Sequence, residues 1–214
     1  MTSEPTNFED LVRRVAAFGT ARRSILAIAG APGSGKSTLA DRLAEALNGL
    51  AAGAAAVLPM DGYHFDDRVL IDRGLRPRKG APNTFDVGGL AHMLQRLRRN
   101  EEEEIAVPVF DRDLEIARAG ARLIPQSIRW IIVEGNYLLF DQAPWSRLRP
   151  MFDLTVFVDV PEDELRRRLI RRWQGYGLAP DAVEAKLEDN DLPNGRAVIK
   201  HSQNADIVLR SEGM

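Results

Sequence analysis

One octapeptide, Gly30-Ala31-Pro32-Gly33-Ser34-Gly35-Lys36-Ser37, constrains this chain more than any other feature. It fits the pattern G-x-x-x-x-G-K-[ST] without a mismatch. An apolar run, Ile25-Leu26-Ala27-Ile28-Ala29, precedes it, and Leu39, Leu43, Ala44, Ala46 and Leu47 follow at helical spacing. The local order is therefore strand, tight loop, helix. Glycines let successive backbone N–H groups curl around an anion with no Cβ in the way, and the helix start points its positive end at the same place. Lys36 is then expected on the outer phosphates of a nucleotide, and the Ser37 hydroxyl on Mg²⁺. Gly30, Gly33, Ser34, Gly35, Lys36, Ser37 and Thr38 are the expected nucleotide-binding set. Chance would produce such a match in a chain of this composition about twice in a thousand times. A plain strand-to-helix turn requires neither Lys36 nor Ser37.

The rest of the chain alternates apolar runs with amphipathic stretches. Leu11, Val12, Val15, Ala16 and Phe18 predict a first helix, and Ala55–Leu58 a weak strand. The polar stretch from Gly62 to Asp86 is rich in Gly, Pro and Arg and reads as a long functional loop with a short helix near Val69-Leu70. Leu90, Met93, Leu94 and Leu97 predict another helix. Ile105–Phe110 and Ala121–Ile124 predict a small antiparallel insertion. Trp130–Val133 and Leu154–Val158 are continuous apolar runs, as central parallel strands are. Helices over Glu162–Trp173 and Ala179–Asp189 and a last strand at Ile207–Leu209 complete the pattern. Strands alternating with helices predict an α/β fold of the P-loop NTPase type. It would have three layers, α/β/α, around a mostly parallel sheet, with a small insertion and an Arg-bearing lid helix. The length of 214 residues suits one domain over 1–214, the lid occupying approximately 162–178.

Composition narrows the function classes. There is no cysteine, which excludes a disulfide framework, a cysteine nucleophile and thiolate metal sites. Lys and Arg total 29 against 31 Asp and Glu, so no bulk charge points to nucleic acid. The first ten residues are polar and acidic, unlike a signal peptide, and no apolar run reaches the length of a membrane span. The expectation is a cytoplasmic protein with a small-molecule substrate, no nucleic-acid partner, no membrane, and at most a second copy of itself in a homodimer.

Two acids follow predicted strands, where ligands of open α/β sheets bind. Asp61, in Met60-Asp61-Gly62-Tyr63-His64, is placed to accept a proton from an attacking hydroxyl or to help hold Mg²⁺. Glu134 ends the run Ile131-Ile132-Val133 beside the phosphate loop and suits the metal shell, with Gly135 giving clearance. None of the four Lys follows an Asn, so the guanine-reading N-K-x-D pattern is missing. A small-molecule kinase fits best.

Together these residues resemble the P-loop kinases that group uridine kinase, phosphoribulokinase and bacterial-type pantothenate kinase. The stretch Arg73-Gly74-Leu75-Arg76-Pro77-Arg78-Lys79-Gly80-Ala81-Pro82, followed by Phe85-Asp86, looks most like the pantothenate kinase pattern. Asp61-Gly62, Pro108-Val109-Phe110 and Glu134-Gly135 extend the resemblance over most of Ile25 to Leu209. It implies ATP and Mg²⁺ as cofactors, Lys36 on the phosphates, Ser37 and Glu134 at the metal, and Asp61 as general base. It also implies lid arginines. Arg168 and Arg171, three apart on the predicted helix, share a face and are expected to meet the transferring phosphoryl group. Arg112 stands where pantothenate kinases carry a histidine, and uridine kinases lack the K-G-x-P stretch. Tyr63, His64, Arg78, Lys79, Phe110 and Arg112, with Asp61, are the expected substrate residues. Asn194 and Lys200 are expected on the adenine side, by resemblance only. The expected activity is transfer of the ATP γ-phosphate to a hydroxyl of a nucleoside-, pantothenate- or sugar-like molecule, anionic or neutral. A nucleoside monophosphate kinase and a non-enzymatic ATP-binding regulatory module stand as alternatives.

Overall fold

The computed structural model describes residues 7–18, 22–202 and 204–210. The polar stretch at the chain start lies outside the described residues as far as Thr6. Five strands form one parallel sheet: β1 (Ser24–Gly30), β2 (Ala55–Pro59), β5 (Trp130–Gly135), β6 (Leu154–Asp159) and β7 (Ile207–Arg210), in the order β2-β5-β1-β6-β7. Every residue of β1 and β5 is buried, which is why both read as unbroken apolar runs. The two are in parallel register from Ser24 opposite Trp130 to Ala29 opposite Gly135. The carboxyl ends of β1 and β5 therefore bring the phosphate loop and Glu134 together.

Helices cover both faces. On one side, α1 (Phe8–Ala17) and α2 (Lys36–Leu50) bury Leu11, Val15, Leu39, Leu43 and Leu47 against Leu26, Ile28, Ile132 and Val156. On the other, α4 (Val87–Arg99) packs Leu90, Leu94 and Leu97 against Ile25, Ala27, Ile131 and Val133. The alternation of Ile25 and Leu26 between the two cores is the period-two geometry of a strand. Among the described residues, no helix is long and apolar enough to cross a membrane. The predicted insertion is an antiparallel hairpin, β3 (Glu104–Asp111) and β4 (Ile116–Pro125), with its register shifting between Val107 and Val109. It docks on the sheet's end through Ile105, Val107 and Ile124.

The C-terminal third departs from the expected pattern in two places. After α5 (Glu162–Gly175) and α6 (Pro180–Lys186), the chain widens into a π-helical turn over Leu187–Asp191. A helix not expected from the sequence, α7 (Leu192–His201), follows directly. Pro193 and Gly195 lower its local helical signal, but the chain is already helical through Asp191, and the π-helical turn just before Pro193 interrupts the regular hydrogen-bond ladder there. Gly195 faces the phosphate loop, where a Cβ would make ordinary contact at 3.6 Å with the Cβ of Ala31.

The opposite end of the sheet is held by buried charge. Arg23 donates to the carbonyl oxygens of Ile128, Leu97, Pro125 and Gln126, fastening β1, α4 and the hairpin exit together. Asp153 accepts from the Ile25 amide at 2.8 Å and from Arg98 at 2.6 Å. Burial lowers the proton affinity of Arg23, so these carbonyls are what its charge has in place of water. Arg23→Met strips several buried acceptors of their donor at once. The expected result is a loss of about 3–5 kcal/mol in unfolding free energy by urea denaturation, without change in the shape of the phosphate loop.

Candidate active site

The phosphate loop owes its shape to two glycines in the left-handed region, Gly33 at φ +80° and Gly35 at φ +91°. A side chain at either would strain the backbone. Gly30 and Ser34 act from beneath: a Cβ on Gly30 would meet Ser34 Oγ at 2.7 Å, and Ser34 is fully buried. The loop amides open instead towards a cavity of about 680 Å³, lined by Gly33, Gly35, Lys36, Ser37 and Thr38 at one end. Lys36 makes no hydrogen bond to protein among the described residues. Burial lowers its proton affinity, and Glu134 and Asp61 work in the opposite sense. A desolvated ammonium with no partner, set in a nest of main-chain amides at a helix start, fits a nucleotide's phosphates.

Glu134 and Asp61 complete this end. Glu134 is buried and accepts from Ser37 Oγ at 3.1 Å. Its pKa lies above the usual carboxylate range because of burial, with Lys36 opposing and Asp61 reinforcing the shift. A hydroxyl and a carboxylate oxygen this close are hard oxygen donors that suit Mg²⁺. Gly135 is required here, since a Cβ would stand 2.4 Å from that of Met60. Asp61 sits in the 3-10 turn Met60–Tyr63 just after β2. Burial works against its charge, but His64, Arg112 and Lys36 outweigh it and hold its carboxyl below the usual range. Arg112, at the hairpin tip, donates to Asp61 Oδ2 at 2.6 Å. Gly62 lets the hairpin come this close: a Cβ would lie 2.5 Å from the Pro108 carbonyl oxygen.

The other expected residues divide. His64, Lys79, Phe110 and Arg112 line the cavity with Asp61. Lys79 Nζ donates to Asp67 Oδ1 at 2.6 Å and to the Glu115 carbonyl at 2.5 Å. Tyr63 does not reach it. It is buried in the core that includes α4, and its burial pushes its pKa far above the ordinary phenol value. Tyr63 is the last residue of the 3-10 turn and packs into the core, and His64, in extended backbone directly after it, lines the cavity. Arg78 is not a lining residue either. Its guanidinium turns to the Asp189 carbonyl and to Asn194 Oδ1. Asn194 lines the cavity, whereas Lys200 is exposed outside it.

The lid helix α5 lies over the phosphate loop. A Cβ on Gly33 would stand 3.0 Å from Leu169 Cγ, and Arg168 Nη1 donates to the Ser34 carbonyl at 3.0 Å. Arg171 is exposed and away from the cavity, and Arg172 lines it with Arg168. At 3.6 residues per turn, 168 and 172 are 40° apart around the axis and 168 and 171 are 60° apart on the other side. The buried Leu165 and Leu169 fix which side faces the loop. The signal for Arg172 was thus in the sequence, in its four-residue spacing from Arg168. Asn136, two residues past Glu134, also lines the cavity, and its buried Oδ1 has no protein partner. Trp173 lines the lid side, donating to Asp191 Oδ2 at 2.6 Å, with Lys186 Nζ 4.3 Å from its ring centroid.

A parallel sheet in this order, an amide nest with a buried lysine, and two carboxylates at neighbouring strand ends define a P-loop kinase. The model of the Phosphoribulokinase / Uridine kinase family matches residues 25–213, and the chain belongs to that family. It is 36% identical over 191 residues to the uncharacterised protein YggC of Escherichia coli, covering 88% of this chain and 78% of that one. It is 31% identical to the putative uridine kinase C227.14 of Schizosaccharomyces pombe, covering 88% and 83%. Among solved structures it resembles a putative fructose transport system kinase from Silicibacter sp. TM1040, 41% identical with TM-score 0.88 over 95% and 98% of the two chains. The D-glycerate 3-kinase of Cryptococcus neoformans shares the fold at 12% identity, with TM-score 0.69 over 97% and 94%. This chain is accordingly a small-molecule kinase of that family.

Arg112 carries a direct consequence. The carboxylate of Asp61 is favoured by the neighbouring guanidinium, so Arg112→Ala raises the Asp61 pKa. With its pKa depressed, the paired carboxylate stabilises the fold above the unfolded-chain value and loses that contribution as pH falls through the folded value. In the variant the loss begins at higher pH. Carboxyl ¹³C NMR titration of Asp61, with Asp61→Asn for assignment, checks the direction.

Proposed function

We propose that the protein transfers the γ-phosphate of ATP, as its Mg²⁺ complex, to a hydroxyl of a small sugar-like or polyol molecule. The observation that carries this reading is the shared cavity: the loop amides and Lys36 at one end, an ionised Asp61 beside them, and cationic and aromatic walls beyond. Ser37 and Glu134 would hold the metal, whose charge offsets that of the phosphates.

Lys36 binds the outer phosphates, and its desolvation strengthens that attraction. Asp61 orients the attacking hydroxyl and takes its proton on a carboxylate oxygen. Its depressed pKa keeps it ionised throughout the neutral range, and Arg112 fixes where that carboxylate points. Arg168 and Arg172 sit where negative charge spreads during transfer, and the lid that bears them limits water as a competing acceptor. His64, Phe110 and Lys79 wall the acceptor end. An alcohol supplies the proton that Asp61 is placed to receive, whereas a phosphate acceptor would bring its own negative charge towards a carboxylate. The name of the Silicibacter relative puts sugars, fructose among them, first on the acceptor panel. We take the reaction to be cytoplasmic, where ATP is made available, with residues 1–214 acting as one domain, singly or as a homodimer.

Steady-state phosphoryl transfer is measured across hexoses, pentoses, nucleosides, pantothenate and nucleoside monophosphates. Turnover is expected with an alcohol. Turnover with monophosphates only would replace the proposal by a monophosphate kinase, and ATP binding with no transfer would favour a regulatory module. Against the accepted alcohol, Asp61→Asn is expected to lower kcat about 10²–10⁴-fold with nucleotide affinity retained. Lys36→Met is expected to weaken ATP binding in calorimetry and to lower kcat/KM by about 10²-fold or more.

A further inference from the structure

Arg78 is next in sequence to a cavity residue, Lys79, yet its guanidinium turns to the π-helical turn at the base of the lid. Pro193, in the first turn of α7, has no N–H to offer the carbonyls one turn earlier, Asp189 among them. Arg78 Nη1 donates to the Asp189 carbonyl, and Nη2 reaches Asn194 Oδ1 at 3.4 Å. A guanidinium fork can meet two such acceptors at once, which an ammonium cannot do in a fixed plane.

Two asparagines close a circuit back to the same loop. The Lys79 carbonyl can only accept, so the part of Asn190 that faces it at 3.0 Å is the NH₂ group. Asn190 Oδ1 is thereby left as an acceptor, and Asn194 Nδ2 donates to it at 3.1 Å. Asn194 Oδ1 is then the atom that remains for Arg78. The circuit begins and ends on adjacent residues, 78 and 79, and only one orientation of each amide satisfies it. Such a network fixes two segments in one register, and its loss costs more than its bonds taken singly.

Both sides of the circuit are anchored further. The π-helical turn is tied to the lid helix, where Trp173 Nε1 donates to Asp191 Oδ2 at 2.6 Å, and Arg168 of that helix donates to the Ser34 carbonyl of the phosphate loop at 3.0 Å. On the other side, Lys79 Nζ donates to the Glu115 carbonyl at 2.5 Å, on the hairpin that also carries Arg112. Direct polar contacts therefore run from the phosphate loop through the lid and Arg78 to the hairpin.

We infer that Arg78 is a positioning residue that couples the base of the lid to the loop over 76–82, so that a nucleotide held under the lid further steadies the loop that carries Lys79. The inference requires nucleotide at the phosphate loop and is independent of which acceptor is phosphorylated. By linkage, a steadied loop favours the nucleotide to the same degree, and couplings of this kind amount to about 5–150-fold.

Amide hydrogen exchange, followed by mass spectrometry with and without saturating ADP and Mg²⁺, reads the coupling. In the wild type ADP is expected to slow exchange in the phosphate loop, in 187–195 and, by about 5-fold or more, in 75–82. In Arg78→Met the first two effects are expected to remain and the third to disappear. Arg78→Lys, which keeps the charge without the fork, is expected to recover part of it. Asn190→Ala, which removes the return bond to Lys79, is expected to reproduce the loss, and the double variant to add little to either single change. The inference is overturned if ADP fails to slow 75–82 in the wild type, or slows it equally in Arg78→Met. Exchange in 75–82 that is faster in Arg78→Met with and without ADP, by the same factor, also overturns it, because that is the mark of a structural role alone. A protein that binds ADP and phosphorylates no alcohol removes the proposed function and leaves this test intact.

Discussion

A single ammonium group, that of Lys36, organises the end of the sheet. It is drawn out of water with no hydrogen bond among the described residues to replace the lost hydration, and burial lowers its proton affinity. Glu134 and Asp61 work against that shift, and neither is free to move. Glu134 carries the last side chain of a fully buried strand, and Asp61 lies in a turn packed under the hairpin at Gly62. The charges are therefore arranged before any ligand arrives. Such an arrangement favours an incoming polyanion because the protein has no reorganisation left to make. The same crowding explains why the two acids differ. Asp61 has Arg112 and His64 beside it as well as Lys36, and its pKa falls. Burial dominates at Glu134, and its pKa rises.

The basic loop between α3 (Asp67–Asp72) and α4 is held from several directions, which is unusual for a stretch so rich in Gly, Pro and Arg. Tyr137 donates its hydroxyl to the Gly80 carbonyl at 2.7 Å, and Trp145 its indole N–H to the Pro82 carbonyl at 2.9 Å. Asn190 Nδ2 donates to the Lys79 carbonyl, and Asn194 Nδ2 in turn to Asn190 Oδ1. The π-helical turn is what brings Asn190 to that loop, and Gly195 on the next helix rests on the phosphate loop. The acceptor end and the nucleotide end are thus connected by direct contacts through the lid region. Lys79 is correspondingly a rigid part of the wall, sharing Asp67 with Arg76.

Local chemistry was legible wherever one stretch of chain carries its own reason. The phosphate loop, the Asp61 turn and Glu134 each follow a strand of continuous apolar residues, and strand ends are where an open α/β sheet binds ligands. Residues whose role depends on which way one side chain turns were not legible. Tyr63 and His64 are neighbours of equal promise in the sequence, yet one fills the core and the other the cavity. Arg78 and Lys79 separate in the same way. Arg171 and Arg172 differ only in their angle around α5, which is set by how Leu165 and Leu169 seat on the phosphate loop.

By itself, the sequence determined the α/β alternation, the anion nest and the two acids, because backbone sterics and hydrophobic periodicity act within a few residues of each other. Tertiary structure alone decided that Arg112 reaches Asp61 across 51 positions of chain, that Asn190 meets Lys79 across 111, and that α7 forms despite its proline and glycine. Such contacts depend on the packing of whole elements, and their energies arise only after burial has removed the water that would otherwise satisfy each polar group.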